Sequence, residues 1–281
     1  MNKTLNIKKI PNNIEKFIIN HINFNPPNCY KKPSNQELRA YNDLFINENI
    51  QKYNINLNTI LSIRSSFVKE KIIKNHHKLV QKISKILDDY ENNNDILFIS
   101  KKYDGSPLNI LRLIFNQKYE ISPKNLFKNP SLLNKHDKKQ LKIAIENDDF
   151  GLINQDNILK ESELFEKDIE NILIKNKVIF KTQNELIEEQ KIKFGNPICT
   201  PDFLIESKFI INNISINWID AKNFYGSNTS FIKKSIEKQT EKYIKVFGEG
   251  AIIFKYGFNE EIEKINDKIL FIDFESFKKI N

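Results

Sequence analysis

Thr200-Pro201-Asp202 is followed by Asp220-Ala221-Lys222 and then by Gln239 and Tyr243. One carboxylate thus precedes a second that stands two residues before a lysine. A Mg²⁺ ion prefers hard oxygen ligands, and a carboxylate pair supplies both the oxygens and the charge to hold it. A nearby lysine can steady an attacking water or the charge that develops on a phosphate. The set points to metal-dependent hydrolysis of a phosphodiester. Singly, each piece has a plainer reading. Pro-Asp commonly opens a turn or a strand, and Asp-x-Lys on an exposed strand is commonly a weak ion pair. Gln-x-x-x-Tyr at helical spacing commonly mixes surface and packing. It is their order and spacing together that favour a site.

The flanking residues supply elements to position them. The runs 198–205 and 214–222 are rich in β-branched and aromatic residues and read as strands. Side chains two apart on a strand share a face, so Asp220 and Lys222 project together and Ala221 points away into packing. Asn212-Asn213 offers a hairpin turn between the runs. Ser227-Asn228-Thr229 offers capping oxygens to a helix through Phe247, on which Gln239 and Tyr243 are four apart and share a face. Gly248-Glu249-Gly250 ends that helix, and strands follow over 251–258 and 269–274. Upstream, Leu164, Phe165, Ile169, Ile172, Leu173 and Ile174 mark an amphipathic helix carrying Glu166. This order of elements indicates an α+β or α/β sandwich, not a repeated βαβ array.

On Pro201-Asp202 and Asp220-Ala221-Lys222 the chain resembles the PD-(D/E)xK nuclease superfamily. Gln239-x-x-x-Tyr243 is similar to the extra motif of its RecB-like branch. A denser similarity, to the codanin-interacting nuclease or TPD-motif family, runs from about Glu163 to Phe258. It is carried by Thr200-Pro201-Asp202-Phe203, Trp218-Ile219-Asp220-Ala221-Lys222, Gln239, Tyr243, Phe247-Gly248, Gly250 and Lys255-Tyr256-Gly257-Phe258. It continues more loosely through His76-His77 and residues 95–115. Vertebrate members carry glutamate where this chain has Asp220, one methylene shorter.

The resemblance implies a restriction-endonuclease-like sandwich, a mixed central sheet flanked by helices. It implies that Asp202 and Asp220 ligate Mg²⁺ or Mn²⁺, with the Ala221 carbonyl as a third oxygen. Glu166 would complete the metal shell or hold a bound water, with Glu163 and Glu170 on nearby turns as alternatives. Lys222 would position the water, and Gln239 and Tyr243 would orient the scissile phosphate or the lysine. No covalent enzyme intermediate is implied. The resemblance also implies a codanin-like protein partner in animals, a link to chromatin assembly and residence in the nucleus. A chain kept chiefly as an interaction module, with a weak or vestigial nuclease site, is the alternative.

Composition agrees with this reading. The 281 residues suffice for two domains, and 40% hydrophobic content with 21 Phe allows a sizeable core. A net charge of +8 suits a polyanionic partner, although an Asn-, Lys- and Ile-crowded chain also reflects coding bias; DNA rather than RNA is the expected substrate. Cys29 and Cys199 suggest neither a disulfide framework nor a zinc ribbon, and point to an intracellular compartment; the expected location is nucleus or cytoplasm, the nucleus being what the resemblance implies. His76 and His77 are adjacent on a helix and face different ways. The sequence contains neither an apolar run of about 20 residues nor an apolar leader after its basic start, so neither a membrane span nor secretion is expected.

The first half reads as helical, giving an expected domain over 1–150 and a nuclease domain over 151–281. Residues up to Pro33 are polar and broken by prolines, a loosely packed arm. A long helix is expected over 57–90, ended by Asn92-Asn93-Asn94. Asp95 then caps a helix, Asp104-Gly105 turns, and Ser106-Pro107 opens another. The unit, near 95–118, reads either as a helix-turn-helix or as an ordinary helical hairpin. As a helix-turn-helix it would bring Asn109, Arg112 and Gln117 towards a duplex, with Lys101 and Lys102 on phosphate. Residues 123–150 read as a helical connector whose lysines form a solvated face.

Overall fold

A computed structural model of the chain describes residues 1–44, 48–53, 55–151 and 155–280. In chain order the elements begin with β1 (Asn2–Lys3), α1 (Asn12–Asn20), α2 (Asn35–Leu44), α3 (Glu48–Gln51) and α4 (Leu57–Gln81). There follow α5 (Ile83–Glu91), α6 (Ile96–Tyr103), α7 (Pro107–Lys118), α8 (Pro123–Lys128), α9 (Lys135–Asn147) and α10 (Gln155–Lys175). Then come β2 (Phe180–Thr182), α11 (Gln183–Phe194), β3 (Phe203–Ile205), β4 (Ile210–Ile211), β5 (Ile214–Ser215) and β6 (Trp218–Lys222). The chain closes with α12 (Ser230–Phe247), β7 (Gly250–Phe254), β8 (Ile269–Asp273) and α13 (Phe274–Phe277). The fold is α+β.

Two compact units form. One gathers Met1–Asn20, Asn42–Ser66 and Gln155–Asn281, and the other His21–Tyr41 and Phe67–Asn154. The expected division at 150/151 abuts residues 152–154, which lie outside the described set. It differs in grouping, because two N-terminal stretches belong with the sheet.

In the sheet unit, among the described residues, five strands run in the order β2-β3-β6-β7-β8. β2, β3 and β6 pair antiparallel, whereas β6, β7 and β8 pair parallel. β7 reads Gly-Ala-Ile-Ile-Phe without alternation because both its faces are buried. On one face Phe165, Ile169 and Leu173 of α10 meet Phe203, Ile219, Ala251 and Ile253. On the other, Ile232, Ile236 and Tyr243 of α12 meet Trp218, Ile252, Phe254 and Phe271.

Asn212 and Asn213 form the expected turn, both with positive φ (50° and 66°), but it joins the short strands β4 and β5. The N-terminal arm is not loose. β1 adds in parallel to β4, and Leu5 exchanges hydrogen bonds with the Asn212 side chain at 2.8 and 3.0 Å. Leu5, Ile10, Ile14 and Ile18 are buried, so the arm has apolar surface to hold it despite its polar composition.

The other unit is helical. The helix expected over 57–90 is two helices, because Lys82 leaves helical geometry (φ −102°, ψ 11°). α5 is thereby free to bury Ile86 and Tyr90. Asp95 accepts the Phe98 amide at 2.8 Å, Asp104 adopts the left-handed conformation, and Ser106 accepts the Asn109 amide ahead of Pro107. α7 buries Leu108, Ile110, Leu111, Ile114 and Phe115, with α5, α6, α8 and α9 packed against it. Lys124, Lys128, Lys135, Lys138, Lys139 and Lys142 are exposed, as expected of a solvated face.

Candidate active site

β6 puts Asp220 and Lys222 in the layer of α12 and turns Ala221 to the layer of α10. β6 pairs with β3 through Leu204↔Trp218 and Phe203↔Ile219. Beyond that the ladder gives out at Pro201, which has no N–H. The Ala221 amide, which finds no ladder partner there, donates instead to Asp202 Oδ2 at 2.7 Å. The Pro-Asp pair thus ends a strand pairing and delivers a carboxylate to the motif strand at the same step.

α12 closes the arrangement. Gln239 Nε2 donates to Asp220 Oδ1 at 2.9 Å, and Gln239 Oε1 accepts from Lys222 Nζ at 2.7 Å. One amide therefore ties the acid and the lysine, while Lys222 Nζ also contacts Asp220 Oδ2 directly. Tyr243, one turn on, accepts from Gln239 Nε2 at 3.1 Å and donates to the Thr200 carbonyl at 3.4 Å. Burial and the charge of Asp220 hold the Tyr243 hydroxyl well above its ordinary pKa, so it remains a donor. Behind it, Trp218 lies 5.2 Å from the Tyr243 ring and donates to the Gly248 carbonyl at 2.9 Å. This needs glycine at 250, where a Cβ would stand 2.2 Å from the indole.

The electrostatics are crowded. Asp220 is 1% exposed, and its Oδ2 is met by the Lys222 ammonium. Burial first, then the charge of Asp220, raise Asp202 far above the usual carboxylate range. Glu166 on α10 is half-buried and raised in the same order, by burial and by Asp220. Among the described residues no three His, Cys, Asp or Glu side chains form a ready cage for an ion. The donor chemistry nevertheless fits a hard cation. A buried carboxylate stands beside carboxyls that resist ionising, and a divalent charge would relieve both.

Beside Asp202 a cleft of about 320 Å³ is lined by Glu163, Glu166 and Glu170 of α10 and by Thr182 and Gln183. Gln183 is a residue that sequence reasoning missed. Its backbone N–H donates to the Asp202 carbonyl at 2.9 Å, its Nε2 donates to the Thr200 carbonyl at 3.1 Å, and it approaches Asp202 Oδ1 at 3.4 Å. The signal that could have found it is the capping box Thr182-x-x-Glu185, which starts α11.

The residues expected to meet nucleic acid lie in the helical unit, where several are engaged. Arg112 donates to the Gly151 carbonyl at 2.8 Å and lies over the Phe127 ring. Lys102 pairs with Asp89 at 2.7 Å, and Asn109 meets His76 at 3.3 Å. Lys101 and Gln117 are exposed. Among the described residues, no helix is long and apolar enough to cross a membrane.

The mixed sheet thus buries a carboxylate–lysine pair under an α12 glutamine, with a second carboxylate from the residue that precedes β3. Comparison with known proteins then supplies the family. The family model described as "Protein of unknown function TPD sequence-motif" matches residues 133–275, about half the chain, and the chain belongs to that family. Uncharacterized protein L539 of Acanthamoeba polyphaga mimivirus is 39% identical over 117 residues, 40% of this chain and 41% of that protein. The protein named CDAN1-interacting nuclease 1 in Gallus gallus is 34% identical over 64 residues, 23% of each chain. Its namesake in Xenopus laevis is 29% identical over 77 residues, 27% of this chain and 25% of that one. The matches thus span well under half of these relatives' own lengths. No solved structure matches.

Proposed function

We propose that the protein is a metal-dependent nuclease of the PD-(D/E)xK kind that hydrolyses phosphodiester bonds of nucleic acid, DNA in preference to RNA. The observation that carries this reading is the Gln239 amide bridging Asp220 and Lys222 at 2.9 and 2.7 Å, with Asp202 bonded to the intervening Ala221 amide. Relatives named as nucleases support it, as does the net charge of +8. A Mg²⁺ or Mn²⁺ ion held by Asp202, Asp220, the Ala221 carbonyl and Glu166 would acidify a water and neutralise charge on the phosphate.

The chain's own groups do the rest. Lys222 cannot swing freely, because Gln239 and Asp220 hold its ammonium on the acid's face of β6. It is thereby available to orient the attacking water and to counter charge on the phosphate. Gln239 acts through Lys222 and Asp220, as a positioning residue, and Tyr243 fixes Gln239 in turn. Gln183 holds the Asp202 backbone so that its carboxylate stays on β6.

A second reading rests on the names of the vertebrate relatives, which describe proteins that interact with CDAN1. On that reading the chain serves mainly to bind a codanin-like partner in nuclear chromatin assembly, and cleaves weakly. A labelled panel of single-stranded, duplex and branched DNA, and of RNA, separates the two. Cleavage with Mg²⁺ or Mn²⁺ that vanishes in EDTA and in Asp220→Ala supports the nuclease. Folded, metal-binding protein that cleaves no member supports the binding module.

A further inference from the structure

The parallel strands β6, β7 and β8 end together, and in open sheets the carboxyl ends of parallel strands are where ligands gather. Asp220 and Lys222 stand at the end of β6. One strand over, the Lys255 amide donates to the Lys222 carbonyl at 3.0 Å. Lys255 follows Phe254, whose ring packs in the α12 layer, so by strand alternation it faces the opposite layer, that of α10. There its ammonium lies over the rings of Phe165 at 5.5 Å and Tyr256 at 5.6 Å. A small cavity of about 60 Å³ opens at this point, lined by Lys8, Lys255, Tyr53, Tyr256 and Thr59, with Asp273.

The charges of this cavity are sorted. Asp273 is already used, its two oxygens accepting the amides of Lys8 and Ser276, both at 2.9 Å. Glu275, also at the rim, pairs with Lys278 at 2.6 Å. Among the described residues neither Lys8 nor Lys255 has a carboxylate within ion-pair distance of its ammonium. Two half-buried lysines thus line one cavity with Tyr53 and Tyr256, at the strand ends that also carry Lys222. Lysine for phosphate with aromatic faces for bases is the combination that suits a nucleic-acid strand.

We propose that Lys8 and Lys255 form a phosphate subsite that grips the substrate strand at a phosphate flanking the scissile one, with Tyr53 and Tyr256 against the neighbouring sugar or base. The inference rests on the nuclease reading and adds how the strand is held. It assigns Lys255 to binding and not to the chemical step, which separates it from Lys222.

The test uses the full chain and a fluorescently labelled oligonucleotide. Anisotropy titrations in EDTA across a salt series give binding without turnover, and Mn²⁺-supported cleavage gives kcat and KM. Lys255→Met and Lys8→Met each reduce the slope of log affinity against log salt by about 0.7 to 0.9, the value of one phosphate contact. KM rises severalfold and kcat stays within about twofold. Lys255→Arg retains the slope, which separates lost charge from lost packing, and Lys175→Met, on the exposed end of α10, leaves it unchanged. Slopes unchanged in both methionine variants, in protein whose wild type binds and cleaves, overturn the subsite and leave the nuclease reading standing. Wild-type protein that neither binds nor cleaves any oligonucleotide overturns both.

Discussion

Asp137 in the helical unit and Asp220 in the sheet unit are withdrawn from water to the same degree, 0% and 1% exposed. Their surroundings differ. Asp137 accepts from Tyr90 at 2.8 Å, Tyr119 at 2.5 Å and the Asn134 side chain at 2.9 Å, and Lys118 bonds both its oxygens. Burial alone would raise it, but these donors outweigh burial and hold it below the usual carboxylate range. Asp220 receives Gln239 on one oxygen and only the Lys222 ammonium on the other. Its charge helps push up its neighbours Asp202 and Glu166. A buried carboxylate with a full set of donors is part of the scaffold. A group of carboxyls with too few is an arrangement still short of positive charge, and such perturbed sites are where function concentrates.

The largest effect that bears on this contrast is expected from Asp220→Ala. Cleavage falls more than about 10³-fold while circular dichroism and the unfolding transition stay close to wild type. Asp137→Ala does the reverse. It lowers unfolding free energy by about 3 kcal/mol, measured by denaturant titration, and leaves kcat per folded molecule unchanged.

The pH dependences have opposite signs. The folded pKa of Asp137 is depressed, so its stabilisation is present above the unfolded value, about 3.9, and is lost as pH falls through the folded value. The folded pKa of Asp202 is raised, so ionising it costs stability. That cost grows as pH rises from about 3.9 towards the folded value. Metal-free Asp202→Asn is therefore more stable than wild type at neutral pH, and its stability rises less steeply towards acid. Asp137→Asn flattens the acid limb instead. Thermal melts over a pH series, in EDTA, read both.

Lys222→Ala is expected to reduce cleavage about 10²-fold with much less change in oligonucleotide affinity. Equal loss of both would make the lysine a binding residue. Gln239→Ala, acting through Lys222, is expected to cost about tenfold in kcat.

Much of the sheet unit was legible because its chemistry is encoded in short local patterns. Asp220-Ala221-Lys222 alternates as a strand must, Thr229 caps α12 as its sequence suggests, and Gln239 and Tyr243 fall one helical turn apart. Asp95, Asp104 and Ser106-Pro107 were equally plain, since caps and turns depend on single side chains. What was hidden depends on distant partners. β1 is two polar residues whose strand identity comes from β4, more than 200 residues away. β2 is three residues long, too short to show a period. The burial of Leu5, Ile10, Ile14 and Ile18 was masked by a polar, proline-broken composition. The capping box Thr182-x-x-Glu185 marks where α11 begins, but what Gln183 does to Asp202 arises only when that start meets the edge of β3. The bonds of Arg112 to Gly151 and of Lys102 to Asp89 also join residues distant in sequence, and only the folded unit shows them.

The measurement that bears most directly on the contrast is thermal unfolding of the wild type, Asp220→Ala and Asp137→Asn with and without Mn²⁺. Ligand at about 100 times its Kd stabilises by about 2.7 kcal/mol, enough to raise the transition by several degrees. The account predicts that Mn²⁺ raises the transition of the wild type and of Asp137→Asn and leaves Asp220→Ala unmoved. A wild type indifferent to Mn²⁺, or an Asp220→Ala variant stabilised as much as the wild type, would contradict it.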